Sequence, residues 1–240
     1  MYEYILKRKS IRNFDMNPLD DNIINDIERY IETIKPYDSS IKTKTVILND
    51  EKQISGIFKI KAPHYIAITS EKKEDYLFNA GYILEQLVIY LTSIGIGTCW
   101  LGGSKPTVDI LENEAFNYVV MIALGKPNET LYRENISEFK RKNITEISNL
   151  SDTNHLMEAV RLAPSASNQQ AWYFEMKENE ISVYCKKVII LMERMSKIDI
   201  GIALAHIYLA AQDQGKNIEL LKVDDKIKHG YEYIVTCKLV

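Results

Sequence analysis

Gly81-Tyr-Ile-Leu-Glu-Gln-Leu-Val-Ile-Tyr-Leu-Thr-Ser-Ile-Gly95 lies without a gap over Gly201-Ile-Ala-Leu-Ala-His-Ile-Tyr-Leu-Ala-Ala-Gln-Asp-Gln-Gly215, at a constant offset of 120 residues. Two further matches flank this pair in the same order. Asn22-Ile-Ile-Asn-Asp-Ile resembles the stretch from Asn154 to Glu158 and onward, and Tyr118–Leu124 resembles Tyr233–Leu239. Any two amphipathic helices share some periodicity, but three matches in one order point to two diverged copies of a helix-strand unit. The polar stretch 128–151 reads as a connector, so the expected halves are 1–150 and 151–240.

The elements follow outward from these helices. In the first half, Asn17-Pro18-Leu19-Asp20 caps a helix through about Ile34, with Ile23, Ile24, Ile27, Tyr30, Ile31 and Ile34 as its buried stripe. Strands are expected over Lys44–Leu48, His64–Thr69 and Phe116–Leu124, helices over Tyr2–Lys9, Glu51–Phe58 and Tyr76–Ile94, the last closed by Gly95. In the second half, Leu156, Met157 and Val160 share a helical face. Pro164 stops that helix, and Trp172-Tyr173-Phe174 starts a strand.

Composition sets limits. The chain has 240 residues, 46% of them apolar, enough for a full core. Thirty-three acids against 30 bases leave a net charge of −3, so no global field favours nucleic acid or an anionic membrane. The longest apolar run, around Leu87–Leu91, falls far short of the roughly 20 residues of a membrane span, and no signal-peptide pattern opens the chain. Cys99, Cys185 and Cys237 lack metal-ligand spacing and cannot all pair, which suits buried thiols in a reducing compartment. A cytoplasmic protein with no metal site is expected. His64 reads as a packed strand residue, since no Asp, Glu or Cys stands nearby in sequence to orient it.

Four stretches carry chemistry. Ala163-Pro164-Ser165-Ala166-Ser167-Asn168-Gln169-Gln170 joins helix to strand and offers hydroxyls and carboxamides with almost no charge, a set suited to a polar, uncharged ligand surface or to a solvated loop. Arg8-Lys9-Ser10-Ile11-Arg12 surrounds one hydroxyl with bases, and Arg can clamp phosphate oxygens by paired hydrogen bonds. Gly95-Ile96-Gly97-Thr98-Cys99-Trp100-Leu101-Gly102-Gly103 holds four of the ten glycines, as backbone does where it turns sharply or approaches a ligand. It follows a helix, so it is no Rossmann fingerprint. Lys140-Arg141-Lys142 lies in a polar segment with Arg133, Asn135 and Asn143, and read alone is a solvated charge run.

Pro164-Ser165-x-x-Asn168-x-Gln170 before an aromatic strand resembles the flavin-contacting loop of the nitroreductase superfamily, the FMN-dependent NAD(P)H oxidoreductases. Arg8 to Phe14 is similar to that family's N-terminal phosphate-binding segment, and Gly95–Gly103 to the stretch beside its isoalloxazine ring. The resemblance covers nearly the whole chain and is greatest to the compact, internally duplicated branch; Ala171 stands where Pro often precedes the Trp. It implies an α+β sandwich of antiparallel-rich sheet flanked by helices, built from two fused half-repeats as a pseudo-dimer. Family members are typically homodimers in which one FMN is held by the arm and Gly-rich stretch of one subunit and the Pro-Ser loop of the other. Here the first half lacks the Asn/Gln pattern in its Lys35–Ser40 loop, and the second replaces the Gly-rich stretch by Gln214-Gly215-Lys216-Asn217. The complementary losses leave one complete site, which a monomer can form.

The resemblance assigns phosphate and ribityl oxygens to Arg8, Ser10 and Arg12, with added charge from Lys9, Lys140 and Arg141. It assigns the ribityl chain or pyrimidine edge to Pro164, Ser165, Asn168 and Gln170, and a backbone N–H near the hydride-accepting N5 to Leu101, Gly102 or Gly103. NAD(P)H would reduce the flavin and a small electron acceptor, a nitroaromatic or quinone, would reoxidise it in ping-pong turnover. No catalytic side chain is expected, protons coming from solvent. A flavin-binding sensor or carrier, a degenerate interaction module, and a specialised flavin reaction share these motifs. Trp100, Trp172 or Leu131–Phe139 would decide whether the ring face is open.

Overall fold

A computed structural model describes residues 1–56, 59–223 and 226–240. At its centre lie two helices, α3 (Tyr76–Ser93) and α6 (Ile190–Asp213), in chain order after α1 (Tyr2–Ile5) and α2 (Asp21–Thr33), with α4 (Ile144–Ile147) and α5 (His155–Leu162) between them. Fifteen of the 18 residues of α3 are buried, as a helix apolar on all sides must be. The two helices cross where glycines let their backbones touch: a Cβ on Gly81 would lie 2.2 Å from the Ile198 carbonyl oxygen, and one on Gly201 would lie 2.0 Å from that of Phe78. Residues 81 and 201, and residues 78 and 198, are each 120 apart, so the sequence offset is also the relation between the two sides of this contact.

Each central helix carries a four-stranded antiparallel sheet. The first has the order β1 (Thr43–Leu48), β3 (His64–Glu71), β6 (Phe116–Gly125), β4 (Gly97–Leu101); the second has β7 (Trp172–Lys177), β8 (Glu180–Lys186), β10 (Tyr231–Leu239), β9 (Ile218–Leu221). Each half thus runs helix, two strands, central helix, two strands, with the same strand order. Even an irregularity recurs. The β3–β6 register shifts at Ile68/Thr69 and leaves Val119 unpaired, and the β8–β10 register shifts at Tyr233/Val235 and leaves Ile234 unpaired. Val119 and Ile234 are equivalent in the Tyr118–Leu124 and Tyr233–Leu239 match, and a bulge at the matching place in both sheets behaves as a built feature. The α+β sandwich of antiparallel sheets and helices is as expected.

Some elements differ from expectation. Residues 51–56 are not helix: a 3-10 turn, Glu51–Gln53, leads into β2 (Ile54–Gly56), which pairs with β5 (Ser104–Pro106), while Ile57 and Phe58 of the expected helix lie outside the described residues. The N-terminal helix ends at Ile5 because the chain beyond it extends, bridging Tyr132 at Arg8 and Thr98 at Ser10. On α2 only Ile27 is fully buried; Ile23, Ile24, Tyr30, Ile31 and Ile34 are half-buried against the core. The connector is structured, with a 3-10 turn at Ile136–Glu138 and the buried Ile144 and Ile147 of α4. His64 is a packed strand residue as expected. The Leu19 N–H donates to its Nε2 at 2.8 Å, so its proton sits on Nδ1, 2.7 Å from Asn49 Oδ1, and burial lowers its pKa. All three cysteines are free and buried. Among the described residues no helix is long and apolar enough to cross a membrane.

Candidate functional site

A cavity of about 660 Å³ opens where the two halves meet, within the usual size of a cofactor site. The first half contributes Ser10 and Arg12 of the arm and the Leu101-Gly102-Gly103 end of β4; the second contributes Pro164, Ser165 and the α6 side chains Met195 and Asp199. These seven expected residues, Ser10, Arg12, Leu101, Gly102, Gly103, Pro164 and Ser165, are thus brought together. The arm is pinned along β4: the Ile11 N–H donates to the Thr98 carbonyl at 2.9 Å, and a Cβ on Gly97 would strike the Ile11 side chain at 2.8 Å. Glu129 steadies its far side, accepting the Arg12 N–H at 2.8 Å and the Asn13 N–H at 3.1 Å. Those backbone hydrogen bonds, that of Arg12 first, lower the pKa of Glu129. Lys9 lies 2.9 Å from the same carboxylate and is not among the lining residues.

The loop after α5 is strained. Pro164 ends the helix, a 3-10 turn spans Ala166–Asn168, and Ser167, Asn168 and Gln170 have φ of 50°, 56° and 48°. Asn adopts this left-handed region readily, but Ser and Gln pay about 1–2 kcal/mol each, and such strain persists where the surroundings enforce it. Here segment 140–142 enforces it. Asn168 Nδ2 donates to the Lys140 carbonyl at 2.6 Å, Arg141 donates to Asn168 Oδ1 at 2.7 Å, and the Lys142 N–H donates to Gln170 Oε1 at 2.9 Å. Asn168, Gln170, Lys140 and Arg141 therefore clamp the loop from behind and do not line the cavity.

Behind the arm the arginines gather. Arg8 is 2% exposed, with Nε 3.9 Å from Glu85 Oε1. Arg133 donates to the Arg8 carbonyl and stacks on Phe139 with 4.1 Å to the ring centre. Burial first, then repulsion from Arg8, lowers the pKa values of both Arg133 and Arg141 to about 10, with Arg133 also acting on Arg141. Among the described residues, the Nε atoms of Arg8 and Arg141 are buried without a hydrogen-bond partner. Unmade donors on crowded cations are costly unless an anion completes them. This donor set fits a phosphate dianion.

Sequence reasoning missed Glu85, Arg133, Met195 and Asp199. Glu85 is the one charged side chain in α3 and is fully buried. It accepts from Trp100 Nε1 at 2.9 Å and faces His206 Nε2 at 2.9 Å, while His206 Nδ1 faces the Ala159 carbonyl at 2.7 Å. Trp100 is thereby held at the cavity wall. Trp172 is 2% exposed in the core and Leu131–Phe139 does not line the cavity, so neither closes it. Met192 and Met195 of α6 line it instead. A charge lying alone in an apolar helix was the available signal for Glu85; Asp199 stands between Ile198 and Ile200 on a helix that also carries Glu193, Arg194 and Lys197, and its signal was weaker.

The equivalent place on the other side is smaller, about 290 Å³, and lined by the Lys35-Pro36-Tyr37 loop, Tyr82, Tyr208 and Ile218 of β9 among others. Tyr82 sits 6.3 Å from Tyr37 and 5.8 Å from Tyr208, centre to centre, and takes up room that Ile202, its counterpart 120 residues on, leaves open in the larger cavity.

Paired central helices carrying two antiparallel sheets, with a basic arm and a strained loop meeting over one cavity, define an α+β oxidoreductase fold of the nitroreductase type. The chain belongs to the family described as "Putative TM nitroreductase", whose sequence model matches residues 1–211. Among solved structures it is similar to a "putative nitroreductase" from Thermotoga maritima, with 25% identity, a TM-score of 0.66, and 99% of this chain and 92% of that one covered. A nitroreductase family protein from Clostridium difficile 630 shares the fold at 13% identity and a TM-score of 0.51, over 64% of this chain and 99% of that one. An FMN-dependent nitroreductase from C. difficile R20291 matches at 18% identity and a TM-score of 0.48, over 58% of this chain and 95% of that one. A search of the curated proteins finds no match.

Proposed function

We propose that the chain is an FMN-dependent oxidoreductase that takes hydride from NAD(P)H and passes it to a small aromatic acceptor, a nitro compound or quinone. The observation that carries this reading is the pair of orphaned arginine Nε atoms beside a two-sided cavity in a nitroreductase-family chain. Arg8, Arg133 and Arg141 would hold the phosphate, with Arg12 and Lys9 adding charge and Lys140 backing the clamp. Ser10, Pro164 and Ser165 would meet the ribityl chain, Asn168 and Gln170 acting through the loop they shape. The Leu101-Gly102-Gly103 backbone would approach the ring. When bound, the flavin supplies two-electron transfer between nicotinamide and acceptor; the protein binds, orients and tunes it. Met192, Met195, Ile198 and Ile202 give the cavity an apolar wall that limits water.

Residues 1–150 supply the arm and the β4 end and residues 151–240 the Pro-Ser loop, so one chain completes one site as a pseudo-dimer and a monomer suffices. The buried thiols suit a cytoplasmic setting. The test is anaerobic addition of NADH and NADPH to the FMN-loaded protein, followed by a quinone or nitroaromatic. The reading expects the flavin absorbance to bleach, to return with acceptor, and to give parallel-line ping-pong kinetics. Tight FMN binding without bleaching would make the protein a flavin carrier or sensor.

A further inference from the structure

Asp199 is a carboxyl in an apolar part of the cavity. It is 5% exposed, stands between Ile198 and Ile200 on α6, and lines the cavity with Met195 and Ile202. Among the described residues its one hydrogen bond comes from the Ala166 N–H, 3.1 Å from each carboxyl oxygen, and no basic side chain there is paired with it. The repeat supplies an internal control. Asn79, 120 residues earlier, accepts the Asp38 N–H at 3.1 Å, and Asp38 and Ala166 each lie two residues past the proline of their loop, Pro36 and Pro164. An amide therefore makes this loop-holding bond as well as a carboxyl does. Holding the loop does not explain an acid at 199, and burying one without a cation is unfavourable.

We propose that Asp199 is the proton donor of the cavity, giving its carboxyl hydrogen to an oxygen of a quinone as the quinone is reduced. The proposal rests on the flavin reading above. In the step, the quinone gains a hydride from the reduced flavin and a proton from Asp199. The carboxyl O–H bond breaks, a quinone oxygen gains the O–H, the product is the hydroquinone, and water reprotonates the carboxylate. Burial lifts the pKa of Asp199 to about 8 against the lowering effect of the Ala166 N–H, so the acid form is present at neutral pH. The other titratable groups on the cavity are Arg12, Lys59 and Cys99; behind Asp199 stands Cys185 of β8, itself near Glu193, Lys197 and Glu232.

The experiment uses FMN-loaded protein, reduced with dithionite without oxygen and mixed with 1,4-benzoquinone in a stopped-flow instrument. Wild type is expected to reoxidise at a rate flat up to about pH 8 and falling above it. Asp199→Asn, which Asn79 shows to be compatible with the loop bond, is expected to bind FMN normally and reoxidise about a hundredfold more slowly without that pH dependence; Asp199→Glu restores part of the rate. Infrared difference spectra of the protein without quinone give an independent readout: a protonated-carboxyl band that titrates near pH 8 and is absent from Asp199→Asn. Reoxidation of Asp199→Asn at the wild-type rate and pH profile would overturn the proposal alone. Failure of wild type to bind FMN would remove the flavin reading and the proposal with it. Should Asp199→Asn not fold, the wild-type profile and infrared titration decide, and a flat profile with no such band counts against it.

Discussion

At the scale of single residues, two side chains hold energy that the fold alone does not require. Asp199 has a pKa of about 8 in the folded chain against 3.8 for the ordinary group, so the folded state binds its proton more tightly than the unfolded state. Its linkage therefore costs stability as pH rises from about 4 to 8 and nothing more beyond. Asp199→Asn removes that cost: relative to wild type its melting temperature is expected to be little changed near pH 4 and several degrees higher at pH 8, measured by calorimetry. Ser167, at φ 50° with no ring or amide to favour that region, gives a second prediction. Ser167→Gly relieves about 1–2 kcal/mol of strain less the entropy of a freer unfolded chain, for a net gain of about 0.5–1 kcal/mol in denaturant unfolding. The orphaned Arg141 Nε gives a third. Arg141→Gln is expected to weaken FMN binding tenfold or more in a fluorescence titration and to weaken riboflavin, which lacks the phosphate, by a smaller factor that reports the loosened loop alone.

At the scale of elements, the two central helices are held by a contact that admits no side chain. Gly201→Ala would drive a Cβ to 2.0 Å from the Phe78 carbonyl oxygen, and Gly81→Ala one to 2.2 Å from that of Ile198. Backbone cannot yield as a side-chain tip can, so each substitution is expected to destabilise by about 3 kcal/mol or more in urea unfolding, the upper end of overpacking costs. These helices were legible because their apolar pattern and glycines are local and repeated. The pairing of β2 with β5 was not, since Ile54 meets Pro106 more than 50 residues on and neither strand exceeds three residues. The Asn168 and Gln170 carboxamides were legible as part of a helix-to-strand loop, which is where they stand. What they bond to, backbone and side chains 27 or 28 residues upstream, left no trace in their own stretch. Glu85 shows the same limit, for its partner His206 is 121 residues away.

At the scale of the whole molecule, the two sides share one order of helices and strands but differ in the cavities they form. One meeting of the halves has the arm, the small residues at the end of β4 and the Pro-Ser loop around about 660 Å³. The other has tyrosines around about 290 Å³ and no arginine among the described residues lining it, where Arg12 lines the first. The sequence showed different loops on the two sides, whereas the tyrosines that fill the second place become meaningful only once Tyr37, Tyr82 and Tyr208 are seen together. On the proposed function, one chain by itself completes one flavin site. Native mass spectrometry of the FMN-saturated protein tests it most directly, since it reads chain number and flavin number in one peak. A single chain carrying one FMN is expected; two FMN per chain, FMN confined to dimers, or a chain that takes up none would overturn it.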